Sequence, residues 1–91
     1  MSTQPAVADW HPALVPAAVL RHDPARGADL LVLPERVVVL QGRGGAVVGL
    51  CDGTRTVRAI VEELTVRFPG APVADEVPVF LDGLRREGCL R

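Results

Sequence analysis

The chain has 91 residues, is 48% hydrophobic and 23% charged, and carries a formal net charge of -1. One core fits in that length. The balance excludes a wholly disordered chain and a protein that binds nucleic acid by charge alone. No apolar run approaches the ~18–20 residues of a membrane span, and no secretory signal precedes residue 10, so the expected location is cytoplasmic.

Residues 1–12 read as a flexible tail with Trp10 as its one bulky anchor, and 13–91 as a single domain. A short strand is expected over 17–21, with Val19 and Arg21 on one face and Leu20 on the other. His22-Asp23-Pro24 and Arg26-Gly27 mark a turn. Leu30-Leu31-Val32-Leu33 and Val37-Val38-Val39-Leu40 are the strongest strand signals. Pro34-Glu35-Arg36 between them predicts a hairpin, because proline has a turn-ready φ and no N–H for a ladder. Both runs are apolar on both faces. A sheet covered on one side alternates apolar and polar residues. The excess asks for helices on both sides, a self-associated edge, or a surface that receives a partner.

Beyond Leu40 the period becomes helical. Val47, Val48, Leu50 and Cys51 predict a short helix weakened by Gly44, Gly45 and Gly49. Asp52-Gly53 is expected to end it. Thr56 is a fitting N-cap for a second helix, whose apolar face is Val57, Ile60, Val61, Leu64 and Phe68. Glu63 and Arg67 stand four apart in the favourable order. Asp75 is expected to cap a third helix, with Pro78 in its first turn and Val77, Phe80, Leu81 and Leu84 on its apolar face. Gly88 is the expected C-terminal stop. The order β-β-β-α-α-α is α+β and winged-helix-like: a three-stranded antiparallel sheet followed by a three-helix bundle.

The residues offer little for catalysis. Ser2 is the only serine, and lysine is absent against ten arginines. A serine triad, a Schiff base and a P-loop therefore have no footing. Cys51 lies on an apolar face, where thiols behave as small hydrophobes. Cys51 and Cys89 belong to no metal-ligand spacing. Gly42-Arg43-Gly44-Gly45 resembles a phosphate loop, but Val47 stands where the dinucleotide fingerprint needs glycine; a flexible helix entry is the plainer reading. A winged helix often binds DNA, yet the last helix carries Asp75, Glu76, Asp82 and Glu87 against Arg85 and Arg86. No enzyme activity, cofactor, metal, nucleic acid or membrane partner is expected. The hairpin edge at 37–40 and the last helix remain, either as core alone or as a groove for an extended peptide.

Leu33-Pro34-Glu35-Arg36-Val37, Cys51-Asp52-Gly53-Thr54-Arg55-Thr56 with Ile60-Val61 and Leu64, and the closing Val77, Phe80-Leu81, Leu84 and Gly88-Cys89-Leu90 together resemble the PqqD family of pyrroloquinoline quinone (PQQ) biosynthesis. The resemblance spans 12–91. It implies a non-enzymatic peptide chaperone, a recognition element for ribosomally made and modified peptides (RiPPs). Such a protein binds the precursor peptide PqqA by strand addition and presents it to the radical S-adenosylmethionine enzyme PqqE. Carried onto this chain, the peptide would lie along Arg36, Val37, Val38, Val39 and Leu40, and against Val77, Leu81, Leu84 and Arg85. Asp52 and Gly53 would be a structural turn. Arg58, Arg67 and Arg86 are candidates for an enzyme-docking face, with solvated helix faces as the plainer reading. The alternatives are a leader-recognition module of another ribosomal-peptide pathway and a winged-helix nucleic-acid binder. A free edge that accepts a peptide also accepts a second copy, so a homodimer is open.

Overall fold

The computed structural model describes residues 10–91. Three strands come first: β1 (Val19–Asp23), β2 (Ala28–Val32) and β3 (Val37–Leu40). Three helices follow: α1 (Gly44–Val48), α2 (Val57–Arg67) and α3 (Val73–Arg86). The strands form one antiparallel sheet in the order β1-β2-β3. Leu20 stands opposite Leu31, and Leu31 opposite Val38, so these three share the face turned to the helices. Leu31, Ile60, Leu64 and Leu81 are fully buried at the centre of the core.

Strand β1 starts two residues later than expected. Ala18 N–H donates to Val15 O at 3.0 Å, which closes a turn over Pro16 and Ala17 before the strand begins. The Pro34 hairpin forms as predicted: Leu33 N–H donates to Arg36 O at 2.9 Å.

Among the described residues, helices cover only one side of the sheet. On the other face Val19, Val37 and Val39 are exposed, and the register aligns Val19, Val32 and Val37 in a row across all three strands. Of the three ways to satisfy the doubly apolar strands, a second helical layer is thus not the one taken among the described residues.

Helices α1 and α3 each differ from expectation at one end. Helix α1 begins at Gly44, and Leu50 and Cys51 follow it in a tighter turn, their N–H groups donating to Val47 O and Val48 O. Its glycines are not a flexible entry. A Cβ on Gly45 would stand 1.7 Å from Asp29 Oδ2, so only glycine lets α1 pack against β2 there. Thr56 caps α2 as predicted, its Oγ1 accepting from Ala59 N–H at 3.1 Å. Helix α3 begins at Val73, not beyond Asp75, because Val73 is drawn into the core. Pro72 takes the cap position, and its carbonyl accepts from Asp75 and Glu76 N–H. Pro78 consequently falls in the second turn, where it removes the bond to the Ala74 carbonyl.

The end of α3 is a Schellman stop at Gly88, whose φ is +82°. Gly88 N–H donates to Arg85 O and Cys89 N–H to Leu84 O. The last residues then pair with the start of the described chain, as Ala13 and Arg91 exchange both backbone bonds.

The tail expected over 1–12 falls, as 1–9, outside the described residues. Trp10 and Pro12 are held. Trp10 Nε1–H donates to Arg91 O at 3.1 Å, and Pro12 is fully buried.

Candidate functional site

The hydrogen-bond alternation along β3 decides which backbone groups are free. In an antiparallel pair, bonded and non-bonded partners alternate. Leu33 bonds to Arg36, so Leu31–Val38 and Asp29–Leu40 are the next bonded pairs. Val37 and Val39 therefore aim their N–H and C=O groups away from β2. Among the described residues no strand occupies that side, because β3 is the last strand of the sheet. These groups form an open edge that a further strand can complete.

Beside this edge runs a groove of about 390 Å³. Val38, Val39 and Leu40 supply one wall; Val79, Phe80, Gly83 and Leu84 of α3 supply the other. Gln41 and Glu87 stand at its ends. The lining is mostly apolar, and the strand edge along it is the source of directional bonds. Strand addition needs both.

The expected site residues fall into three groups. Val37, Val38, Val39 and Leu40 lie at the edge, though Leu40 turns its side chain mostly into the core. Arg36 sits at the groove's end as a tie. Its Nη1 donates to Glu87 Oε1 at 3.2 Å, its Nη2 to Glu87 O, and its Nε lies 3.6 Å from Glu35 Oε2. Arg36 thus holds the hairpin against the end of α3.

On α3, Leu84 reaches the groove, whereas Leu81 is wholly buried and Val77, nearly so, is not part of the groove's lining. Arg85 points elsewhere: its guanidinium lies 4.5 Å from the Trp10 ring centroid. The helix face presented to β3 is rotated from the one expected, to Val79, Phe80, Gly83 and Glu87. Phe80 was legible as apolar. Gly83 carries no side chain to signal a role, and Val79 lies off the helix's apolar stripe.

A larger hollow, about 500 Å³, lies on the other flank of α3 between Trp10, Val57, Val79 and Arg86. No strand lines it.

The other candidates are accounted for locally. Burial pushes the Cys51 thiol up to about 12, with the Asp52 charge adding to the shift. It is no nucleophile near neutral pH. Burial also raises Cys89, although Arg36 opposes it. Asp52 and Gly53 form the expected turn. Asp52 Oδ1 accepts from Thr54 N–H at 2.9 Å and from Thr54 Oγ1–H at 2.5 Å, and Arg55 pairs with Oδ2 at 3.1 Å. Gly53 has φ +85°. Arg58, Arg67 and Arg86 each pair with an acid four residues away on their own helix: Glu62, Glu63 and Asp82. Among the described residues no His, Cys, Asp and Glu cluster could hold a metal ion, and no helix is long and apolar enough to cross a membrane.

The solved structure matched by this arrangement of three strands and three helices is a RiPP recognition element. The solution structure of the PqqD truncation of Methylobacterium extorquens PqqCD, described as a functional, stand-alone element of this kind, superposes with a TM-score of 0.71. That protein is 32% identical, and the match covers 88% of this chain and 87% of the other. Residues 30–90 match the family model for coenzyme PQQ synthesis protein D. The PqqA binding protein of Pseudomonas entomophila is 39% identical over 84% of this chain and 85% of its own length. PqqA binding protein 1 of Pseudomonas putida is 35% identical over 89% and 86%. The chain belongs to the PqqD family. It is a protein of PQQ biosynthesis, and membership places it among recognition modules rather than enzymes. The winged-helix description fits the element order only loosely.

Proposed function

We propose that this chain is a cytoplasmic chaperone that binds the precursor peptide PqqA by strand addition along β3 and presents it to PqqE. The observation that carries the reading is the open edge at Val37 and Val39, set beside an apolar groove. The relatives named PqqA binding proteins support the choice of peptide.

Main-chain bonds to Val37 and Val39 supply affinity, and alternate peptide side chains enter the groove against Phe80 and Leu84. A strand added here keeps its own far edge free, which is what presentation to a second protein requires. PqqE then meets the peptide from the side away from β3. A second copy of the chain would consume the same open groups, so peptide binding and pairing of two β3 edges compete.

Isothermal titration with the PqqA peptide of the same organism tests the proposal, followed by the same titration with PqqE present. Stoichiometric binding with chemical-shift changes at the Val37 and Val39 amides is expected, persisting when PqqE is added. Affinity should depend weakly on salt, whereas a nucleic-acid ligand would be lost steeply. No heat and no shift at these amides at high peptide concentration would overturn it.

A further inference from the structure

The groove continues past the end of β3. Beyond Leu40 the backbone turns through Gly42, whose φ is +52°, and enters α1. Here a hollow of about 220 Å³ opens between α1 and the first half of α3. Val47, Val73, Val77 and Phe80 line it, and Gly44 lies in its wall. It shares Gln41 and Phe80 with the strand groove, so Phe80 is the partition between the two. A peptide strand running alongside β3 past Leu40 arrives at this hollow next.

We propose that this hollow is the specificity pocket of the peptide site, and that it receives one bulky apolar side chain, branched aliphatic or aromatic, from the peptide segment that has passed Leu40. The inference rests on the strand-addition reading and adds to it the class of side chain selected.

Three observations carry it. The first is size and lining: apolar cavities of about 150 Å³ already admit benzene, and this one is larger. The second is the neutral rim. Arg43 and Glu76 are ion-paired there, and the Arg43 guanidinium also lies 5.9 Å from the Phe68 ring centroid. An entering charged side chain would lose its hydration and find both charges already matched, so the rim disfavours charge. The third is Gly44. Its φ is not positive, so its backbone conformation does not call for glycine. What glycine supplies is space: a Cβ would stand 3.2 Å from both Leu40 Cβ and Phe80 Cζ. A helix former at this position would press on Phe80 and narrow the hollow.

The test combines an alanine scan of the apolar residues of the PqqA peptide with wild-type protein, Gly44→Ala and Val39→Pro, each titrated calorimetrically. One apolar peptide position is expected to cost on the order of 10- to 100-fold in affinity when truncated, the range for burying such a side chain. The same truncation should cost much less on Gly44→Ala, since coupled contacts do not add. Should Val39→Pro weaken binding while no peptide position couples to Gly44, strand addition stands and the pocket proposal falls. Should neither protein variant change affinity, the strand-addition reading falls and the pocket with it. If Gly44→Ala does not fold, nuclear Overhauser effects between the Val73 and Val77 methyls and the peptide, recorded on the wild-type complex, decide instead. Contacts to one apolar side chain support the pocket, and none across a saturated complex overturns it.

Discussion

The Asp52 loop and the β3 edge are both short segments at the rim of the molecule, but they dispose of their backbone polar groups in opposite ways. At the loop, Gly53 N–H donates to Pro12 O at 2.9 Å and Leu14 N–H to Cys51 O at 3.2 Å, while Asp52 accepts from Thr54. At the edge, Val37 and Val39 turn their N–H and C=O groups to the side of β3 where no strand pairs among the described residues. The resemblance to the family was carried by a motif in each region. The loop turns these bonds inward to its own chain, and the edge turns its groups outward. A motif closed on its own chain organises the fold, and a motif left open is where a second chain can add.

Substitutions can sharpen that contrast. The largest effect is expected from Leu81→Ala, which hollows the core both regions share. It should cost about 2–5 kcal/mol, a large share of the roughly 5–13 kcal/mol available to a domain of this size. Peptide affinity should fall only in proportion to unfolding, as paired thermal melts and titrations would show. Val39→Pro acts on the edge alone. It deletes a donor aimed at the added strand, and an edge strand tolerates proline where its N–H faces away from the sheet. Affinity is expected to drop about tenfold or more, with the melting temperature little changed. Gly53→Ala is its mirror image. A Cβ at φ +85° costs about 1–2 kcal/mol, so the melting temperature should fall while the folded protein binds peptide as before. Reduced peptide binding by folded Gly53→Ala would break the division of labour between the two regions.

Local chemistry was legible in the sequence; tertiary choices were not. The Pro34 hairpin, the Thr56 cap and the Gly88 stop each depend on a few neighbouring residues, and each formed as read. The start of α3 depended on Val73 being buried, which no capping signal reports. The glycines of α1 looked like weakness because their reason lies across space, in Asp29 for Gly45 and in Leu40 and Phe80 for Gly44. The site shows the same limit. The strand side of the expected site is one short run, so its residues stay together at the β3 edge. The helix side is harder to read, because Val77, Phe80, Leu81 and Leu84 form one stripe in sequence that only packing divides between core, groove and hollow. The contact between Arg85 and Trp10 was not legible, because Trp10 lay in what read as a tail.

The smallest predicted effect comes from acid, and it separates the two regions without touching the core. Asp52 is held below its ordinary value of 3.8, chiefly by the Thr54 hydroxyl, then by the Thr54 N–H, with Arg55 adding to both. Because the folded value is the lower one, the unfolded chain takes up the proton first as pH falls. The stabilisation is therefore complete above the unfolded value and is lost as pH drops through the folded one, a window below about pH 4. Asp52 is solvent-exposed, so the contribution is small. Removing the carboxylate as Asp52→Ala should lower the melting temperature slightly at neutral pH and flatten its decline in that acid window. Peptide affinity at neutral pH should stay as it is, because the loop makes its bonds within the chain. A variant that melts like wild type at every pH would mean the Thr54 contacts contribute nothing to stability. One that keeps its melting temperature but binds peptide more weakly would move the Asp52 loop from the scaffold to the binding surface.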